Sequence, residues 1–278
     1  MENLIITAPA KINLGLNILR KRDDGYHDLE TFFYPINLFD TITFSESEEF
    51  KFECSKQELN NDKNLVVKAK ELLEAEMKMK IRMKIELKKQ IPVGAGLGGG
   101  SSDAAAALLG MVKYLGLDLD EQTLRKYASS LGADVPFFLK PVPSYAESIG
   151  DVISPMECKI NSPILLVNPG IHIKTRWAYE HVVPVQPVYT LKKLIEDCEI
   201  DFLYMQNKIK NDFEAFVFKV YPEIEEIKKD FYKLGAMFSL MSGSGSSVYG
   251  IFPNIDKAER AVDFFRTNYF TFLHHENI

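Results

Sequence analysis

A glycine-rich segment between two patterned stretches is the feature that most constrains what this chain can fold into. Five of the nine residues from Pro92 to Gly100 are glycine. Apolar residues alternate over 81–87, which predicts a strand, and the alanine-rich stretch Ala104–Leu115 predicts a helix. Glycine lacks a Cβ atom, so its N–H groups can wrap closely around an anion, and a helix start adds unpaired N–H groups. The segment therefore favours a phosphate-binding loop over a flexible loop capped by a serine. The residues of this predicted loop are Pro92, Val93, Gly94, Ala95, Gly96, Leu97, Gly98, Gly99, Gly100, Ser101 and Ser102.

Four common functional motifs fail to describe this chain. A GxGxxG pattern is present at 94–99, but a dinucleotide site also needs an acidic residue that closes a second strand. Asp118 and Asp120 have nearly the right spacing, yet they follow one helix pattern and lead into another. A Walker loop needs lysine where Gly100 stands. The chain has no His-Arg-Asp or Asp-Phe-Gly triplet and no GxSxG elbow, which excludes protein-kinase and α/β-hydrolase signatures.

Composition indicates a globular chain that can bury an apolar core. The 278 residues are 46% hydrophobic and 26% charged, with a net charge of −6. This acidic total argues against nucleic-acid binding, and the apolar stretches are too short to cross a bilayer. Cys54, Cys158 and Cys198 form no CxxC pair, so neither a zinc signature nor a disulfide framework is expected. The N-terminus lacks a signal-peptide pattern. We expect a soluble, cytoplasmic monomer or homodimer with no nucleic-acid or membrane partner.

Strand and helix patterns alternate irregularly, which favours an α+β fold in two domains over a doubly wound sheet. Prolines interrupt the patterns between 142 and 162, so we place the domains at 1–158 and 159–278.

Alternation over 11–18 predicts a strand with one buried face and one polar face, the latter carrying Lys11 and Asn13. Further strands are predicted over 29–44, 81–87, 164–167, 237–240 and 248–252, and helices over 64–77, 104–115, 120–132, 175–181, 212–219, 223–234 and 256–269.

Three motifs, in order along the chain, resemble the signature of the GHMP kinases. Ala8–Leu14 matches the N-terminal strand motif of that family, the glycine segment matches its phosphate loop, and Leu240–Ser247 matches its C-terminal glycine motif. The resemblance spans residues 8–250. It departs from the family at Lys140–Asp151, where two prolines stand in place of a glycine-containing turn.

This resemblance implies a fold and an activity. The expected fold has a mixed-sheet N-terminal ATP-binding domain, a C-terminal α/β sandwich and the active site between them. The expected activity is ATP-dependent phosphorylation of an alcohol group on a small molecule. Asp24–His27 and Gly132–Phe138 resemble the branch of the family whose acceptor is a cytidine-diphosphate-linked sugar alcohol, phosphorylated on its 2-hydroxyl. Homoserine-type or mevalonate-type kinases are the nearest alternatives. A dinucleotide-dependent oxidoreductase and a non-catalytic nucleotide-binding regulator are more distant ones.

Two residues are expected to carry the phosphoryl transfer. The resemblance assigns Lys11 to the γ-phosphate and Asp134 to the base that accepts the proton of the acceptor hydroxyl. Without the resemblance, Lys11 is typical of a solvated strand-end lysine, and Asp134 is typical of a turn aspartate bonded to nearby amides. A neighbouring ammonium keeps a carboxyl ionised, so we expect the two charged groups within about 6 Å of each other.

The residues expected to bind the acceptor are Asn13, Tyr26, His27 and Tyr179. A cytosine ring is usually bound by aromatic stacking, with ordinary packing as the alternative role for these rings. ATP is expected to bring Mg²⁺, with Ser102 either as a ligand or as a helix cap, although no acidic cluster identifies a metal site. Gly243–Gly245 is expected to close the site from the second domain, and the alternative is a tight turn between two strands.

Overall fold

The computed structural model describes residues 2–195 and 200–275, which form two compact units. The first unit comprises residues up to 10 together with 37–91 and 98–141, and the second comprises 11–36, 92–97 and the chain from 142 onward. Two long strands, β1 (Leu4–Lys21) and β2 (His27–Ser45), pair with each other and contribute residues to both units. This division therefore differs from a single boundary between residues 158 and 159, because each long strand runs through both units.

The first unit combines strands and helices around one apolar core. Its elements after β2 are β3 (Lys51–Cys54), a 3-10 turn (Gln57–Leu59), α1 (Leu65–Met77), β4 (Lys84–Lys88), α2 (Gly99–Tyr114), α3 (Glu121–Leu131) and a 3-10 helix (Val135–Leu139). The second half of β2 pairs with β4 antiparallel, and β4 pairs with β3 parallel. Phe44, Leu73 and Met111 are buried at the centre of the core.

The second unit contains an antiparallel four-stranded sheet. Its elements are β5 (Ser144–Ser148), β6 (Val152–Pro155), β7 (Ile164–Asn168), α4 (Thr175–His181), α5 (Leu191–Ile195), α6 (Phe202–Met205), α7 (Glu214–Val220), α8 (Pro222–Lys233), β8 (Phe238–Met241), β9 (Val248–Ile251), α9 (Ile255–Phe265) and β10 (Phe270–His274). The sheet has the order β10-β7-β9-β8, while β5 pairs with the first half of β2 and with β6. The core of this unit includes Phe231, Phe252 and Phe265.

Local sequence signals predict most of these elements, and the α+β prediction is confirmed. Asn64 caps α1 by accepting a hydrogen bond from the Val66 N–H at 3.0 Å. Asp120 caps α3 in the same way, accepting from the Thr123 N–H at 2.7 Å. Such caps satisfy N–H groups that have no partner within the helix, which is why both helices begin where the sequence predicts.

Three local predictions are wrong. First, α2 begins at Gly99 rather than at Ala104, because Gly98, in the left-handed region with φ of 69°, precedes its first turn and leaves no serine as the cap. Second, the β5–β6 hairpin lies in the segment where prolines were expected to interrupt regular structure. Those prolines precede β5 or end β6, positions that require no ladder N–H. Third, residues 11–18 are all buried, so this part of β1 has no exposed polar face.

Two sequence expectations concern membrane spans and cysteines. Within the described residues, the helices lack the combination of length and apolar character that crossing a membrane requires. Cys54 and Cys158 carry free thiols. Cys198 lies outside the described residues.

Three buried charged side chains meet in the first unit. Lys89 follows β4, and its Nζ donates to Asp40 on β2 and to Asp103 Oδ2 on α2, the latter at 2.6 Å. These side chains are between 0% and 4% exposed. Burial raises the pKa of Asp103 to about 7, with Asp40 adding to the shift and Lys89 opposing it. The second oxygen of Asp103 has no hydrogen-bond partner, as expected where two carboxyl groups share one ammonium.

The Asp103→Asn variant is expected to change how stability depends on pH. Folded Asp103 keeps its proton up to about pH 7, whereas its unfolded counterpart loses it near 3.8. The native state therefore binds the extra proton, and the free energy of unfolding falls as pH rises between these values. Urea unfolding at about pH 5 and about pH 8 should show that Asp103→Asn raises stability relative to wild type more at the higher pH. The exposed Asp118→Asn is the control, and equal effects of Asp103→Asn at both pH values would contradict the shift.

Candidate active site

The strand β1 carries Lys11 into the interior of the second unit. Lys11 is 3% exposed. Its Nζ donates to Asn13 Oδ1 and, at 3.3 Å, to the carbonyl oxygen of Gly96, and it lies 5.1 Å from the centre of the Phe33 ring. Its backbone N–H donates to the Leu97 carbonyl at 3.0 Å. Lys11 is therefore not the solvated strand-end lysine that its pattern alone suggests, and it contacts the predicted phosphate loop directly.

Asn13 is occupied on all sides by protein groups. Besides accepting from Lys11, its side chain donates to Thr31 Oγ1 at 2.8 Å. Its backbone N–H donates to Ser242 Oγ at 3.2 Å, and its carbonyl accepts from the Tyr249 hydroxyl at 3.0 Å. These contacts show that Asn13 orients Lys11, while its contact with an acceptor stays a prediction.

The first part of the glycine segment, residues 92–97, packs against the turn between β8 and β9. Ser242 Oγ donates to the Gly96 carbonyl at 2.9 Å, and the Ser247 N–H donates to the Ala95 carbonyl at 3.2 Å. Gly96 has a φ of 77°, and a Cβ atom at this position would lie 2.0 Å from the Ser242 carbonyl oxygen. Only glycine allows this approach together with a left-handed backbone. Gly243–Gly245 thus does form a turn between two strands, and that turn also contacts the glycine segment.

Ser242 is the residue that sequence reasoning missed. It lies within the C-terminal glycine motif, directly before Gly243, and its position in that motif is the sequence signal that could have identified it. Its hydroxyl accepts from the Asn13 N–H and donates to the Gly96 carbonyl. One buried side chain therefore links β1 to the glycine segment. A hydroxyl that both accepts and donates is suited to such a link.

The second part of the glycine segment opens α2 in the first unit. Gly98 precedes the helix and Gly99 and Gly100 form its start, so backbone N–H groups of the first turn have no partner within the helix. Ser102, the fourth residue of α2, is 1% exposed, and its Oγ has no hydrogen-bond partner. An unpartnered buried hydroxyl beside free N–H groups and the positive end of a helix fits an anion or its counter-ion.

Asp134 lies in the first unit, where it immediately precedes the 3-10 helix Val135–Leu139. Its side chain is partly exposed, and its backbone is helical, with φ of −80° and ψ of −15°. The Val135 N–H donates to the Gly132 carbonyl at 3.1 Å, and Pro136 lies in the first turn of the 3-10 helix, so the backbone around Asp134 is held on both sides. Because Lys11 and Asp134 belong to different units, the 6 Å separation of their charged groups stays a prediction.

The predicted acceptor residues have contrasting environments within the second unit. His27 is 6% exposed, and its ring stacks on Tyr179 with centroids 5.3 Å apart and planes 28° apart. Burial, assisted by the positive charge of Lys21, lowers the pKa of His27, which favours its neutral ring. Tyr26 is 60% exposed. The structure brings His27 and Tyr179 together, which overturns the surface-turn alternative for His27, and leaves Tyr26 open to solvent.

Metal binding was left open by the sequence. Among the residues that the structure describes, His, Cys, Asp and Glu side chains form no group of three or more that could hold a metal ion.

Comparison with known proteins identifies the class of the chain. Residues 64–140 match the GHMP kinases N terminal domain, and residues 192–270 match the GHMP kinases C terminal domain. The chain belongs to the GHMP kinase family, and its two-domain α+β fold is the fold of that family. It is therefore an ATP-dependent small-molecule kinase.

Several similar proteins carry a more particular name. A protein of Bacteroides fragilis named 4-diphosphocytidyl-2-C-methyl-D-erythritol kinase is 45% identical over 91% of this chain and 94% of its own length. A protein of the same name from Chlorobium phaeobacteroides is 40% identical over 97% and 96%. A crystal structure of 4-(cytidine 5'-diphospho)-2C-methyl-D-erythritol kinase superposes with a TM-score of 0.83 at 32% identity, covering 98% of both chains. A homoserine kinase from Cytophaga hutchinsonii, at 17% identity and a TM-score of 0.74 over 99% of this chain and 94% of its own, shares the fold.

The Gly96→Ala variant is expected to lose several times more stability than Gly170→Ala. Both glycines have a φ near 76°, at 77° and 75°, but a Cβ atom at 170 would meet nothing within 4 Å. Left-handed strain alone costs about 1–2 kcal/mol, whereas the clash at 96 adds the cost of separating the segment from the Ser242 carbonyl. Urea unfolding of both variants measures the difference. Equal losses would mean that the segment and the turn are not in contact.

Proposed function

We propose that this kinase transfers the γ-phosphate of ATP to the 2-hydroxyl of 4-diphosphocytidyl-2-C-methyl-D-erythritol, a step of the non-mevalonate route to isoprenoid precursors. The observation that carries this proposal is the agreement between relatives named for that substrate, at 38–45% identity, and the stacked His27–Tyr179 rings in this chain. The cytoplasmic location and the monomeric or homodimeric state predicted from the sequence are part of the same proposal.

Lys11 is proposed to assist transfer of the γ-phosphate. Phosphoryl transfer needs positioning and neutralisation of charge rather than covalent chemistry from the protein. A buried ammonium held by Asn13 and the Gly96 carbonyl is oriented before the nucleotide arrives. Such preorganised charge acts more strongly than a hydrated lysine because little water screens it.

Asp134 is proposed to accept the proton of the acceptor hydroxyl. A carboxylate is a competent base for an alcohol only when it lies within hydrogen-bond reach of the reacting hydroxyl, and such a role contributes about 10²–10⁴ in rate. Its position between Gly132 and Pro136, directly before a 3-10 helix, supports the role because a fixed backbone presents the carboxylate.

The glycine segment is proposed to bind the triphosphate of ATP. Its support is the unpartnered N–H groups at the start of α2 and the unpartnered Ser102 hydroxyl. Mg²⁺ would neutralise charge on the β- and γ-phosphates, with Ser102 as the protein residue proposed to hold it. Within the second unit, residues 92–97 are held against β1 and the β8–β9 turn by the hydrogen bonds described above.

The aromatic residues are proposed to bind the cytosine ring. The neutral His27 ring offers one donor and one acceptor to the ring edge. Tyr179 holds His27 by stacking, so its role is to orient the histidine as well as to contact the base. Exposed Tyr26 offers a free aromatic face for stacking. The homoserine and mevalonate kinases of similar structure share only 14–17% identity with this chain. At that level the likeness is one of fold alone, so it does not favour homoserine or mevalonate as the acceptor here.

Coupled ADP release with each acceptor in turn tests the proposal. Wild-type protein with ATP and Mg²⁺ should release ADP on addition of 4-diphosphocytidyl-2-C-methyl-D-erythritol, and not on addition of homoserine or mevalonate. NADH fluorescence on mixing should stay unchanged, since a dinucleotide site is not expected. Faster turnover with either alternative acceptor would overturn the substrate assignment.

The Asp134→Asn variant is expected to lower kcat by about 10²–10⁴, because the amide cannot accept the hydroxyl proton. ATP should still bind, since the proposed nucleotide contacts are in the glycine segment and at Lys11. Asp118→Asn removes the same charge from an exposed position and should behave as wild type. Comparable losses of ATP affinity and kcat in Asp134→Asn would assign the residue a structural role instead.

The Tyr26→Ala variant is expected to raise the acceptor KM about tenfold while the KM for ATP stays unchanged. Base stacking contributes about 1–3 kcal/mol per base, and 1.4 kcal/mol corresponds to tenfold. Tyr204→Ala is the matched control, because Tyr204 is 62% exposed in the same unit. Identical acceptor KM values for the two variants would remove Tyr26 from the acceptor site.

A further inference from the structure

A buried cluster of three charged side chains in the first unit includes the residues that flank the glycine segment on both sides. Lys89 lies just before the segment and Asp103 lies just after it. The Lys89 Nζ donates to Asp103 Oδ2 at 2.6 Å. Asp40 accepts from the same ammonium, and its Oδ1 also accepts from the Gln90 and Ile91 N–H groups at 2.5 and 2.9 Å. The cluster therefore joins the two ends of the segment to each other and to β2.

Packing around the cluster holds the start of α2 against the strand side of the segment. A Cβ atom at Gly99 would lie 3.0 Å from Ile91 Cγ2 and 3.4 Å from Lys89 Nζ. The first residue of the helix thus rests directly on the residues that Asp40 fixes. Any movement of Gln90 or Ile91 would move the helix start, and with it the N–H groups of its first turn.

Stability alone does not account for such a cluster. Burying ions costs several kcal/mol each, and replacing a buried ion pair with apolar side chains is often neutral or stabilising. Here one carboxyl oxygen, Asp103 Oδ1, is buried without a partner, which adds a further cost. The hydrogen bonds of the cluster do, however, fix one end of the segment relative to the other, because they join residues 89–91 to Asp103 through Asp40 and Lys89.

We propose that Asp40, Lys89 and Asp103 are positioning residues that hold the glycine segment in the shape that binds the triphosphate of ATP. This inference rests on the proposed role of the segment in nucleotide binding. None of the three side chains needs to touch the nucleotide, since they act by fixing where the segment begins and where α2 starts. Order imposed before binding lowers the entropy lost on binding, so the expected effect lies in ATP affinity.

Asp103→Ala is the variant that tests this role. It cuts the tie between Lys89 and α2 but leaves Lys89 paired with Asp40, so no isolated buried charge results. The KM for ATP should rise about tenfold or more, equivalent to about 1.4 kcal/mol, while the acceptor KM stays unchanged. Asp103→Asn keeps an oxygen that accepts from Lys89 and should restore an ATP KM near that of wild type. A thermal unfolding scan establishes that both variants are folded.

Two results would overturn the proposal. One is an unchanged ATP KM in folded Asp103→Ala. The other is an equal rise in both KM values that Asp103→Asn fails to rescue, since this would indicate a general structural role. Gly98→Val separates failure of this proposal from failure of the proposed function, because it adds a β-branched side chain at a left-handed position in the segment itself. If Gly98→Val weakens ATP binding and Asp103→Ala does not, the segment binds ATP without the cluster. If neither changes ATP binding, the segment is not the nucleotide site.

Discussion

Burial of the Lys11 ammonium is the constraint on which the rest of the second unit's site depends. Removing a charge from water costs several kcal/mol unless hydrogen bonds replace the lost hydration. Asn13 and the Gly96 carbonyl supply those bonds, and Ser242 fixes both of them. One buried charge therefore determines where β1, the glycine segment and the β8–β9 turn must lie. The three sequence motifs are separated along the chain, yet each contributes a group that contacts Lys11 or one of its hydrogen-bond partners: Asn13, the Gly96 carbonyl and Ser242.

The first unit solves a related problem by a different route. Its α2 helix begins with N–H groups that have no partner within the helix, beside the buried Ser102 hydroxyl, which also has none. The Asp40–Lys89–Asp103 cluster lies on the protein side of the same helix start and fixes it through charge-assisted hydrogen bonds. The proposed triphosphate site thus relies on backbone geometry more than on exposed cationic side chains.

Much of this arrangement follows from local sequence signals. The caps at Asn64 and Asp120 and the apolar alternation over 11–18 predict two helix starts and a strand, and the structure contains all three. The burial of both faces of β1 over residues 11–18 was not predictable. Alternation shows which side chains are polar, but it does not show which other parts of the chain cover the polar face. The spacing of residues along the chain likewise cannot predict pairs that meet only in the tertiary structure, such as Ser242 and Asn13. Short elements such as β3 and β10 were missed because four or five residues carry too little pattern.

Phosphorus-31 NMR of the complete reaction tests the central claim most directly, since it observes the bond that forms. With wild-type protein, ATP, Mg²⁺ and 4-diphosphocytidyl-2-C-methyl-D-erythritol, a new phosphomonoester signal should grow in step with ADP. The diphosphate signals of the acceptor should persist, because the transfer leaves its cytidyl linkage intact. Inorganic phosphate in place of the monoester, or loss of the acceptor diphosphate signals, would contradict the account.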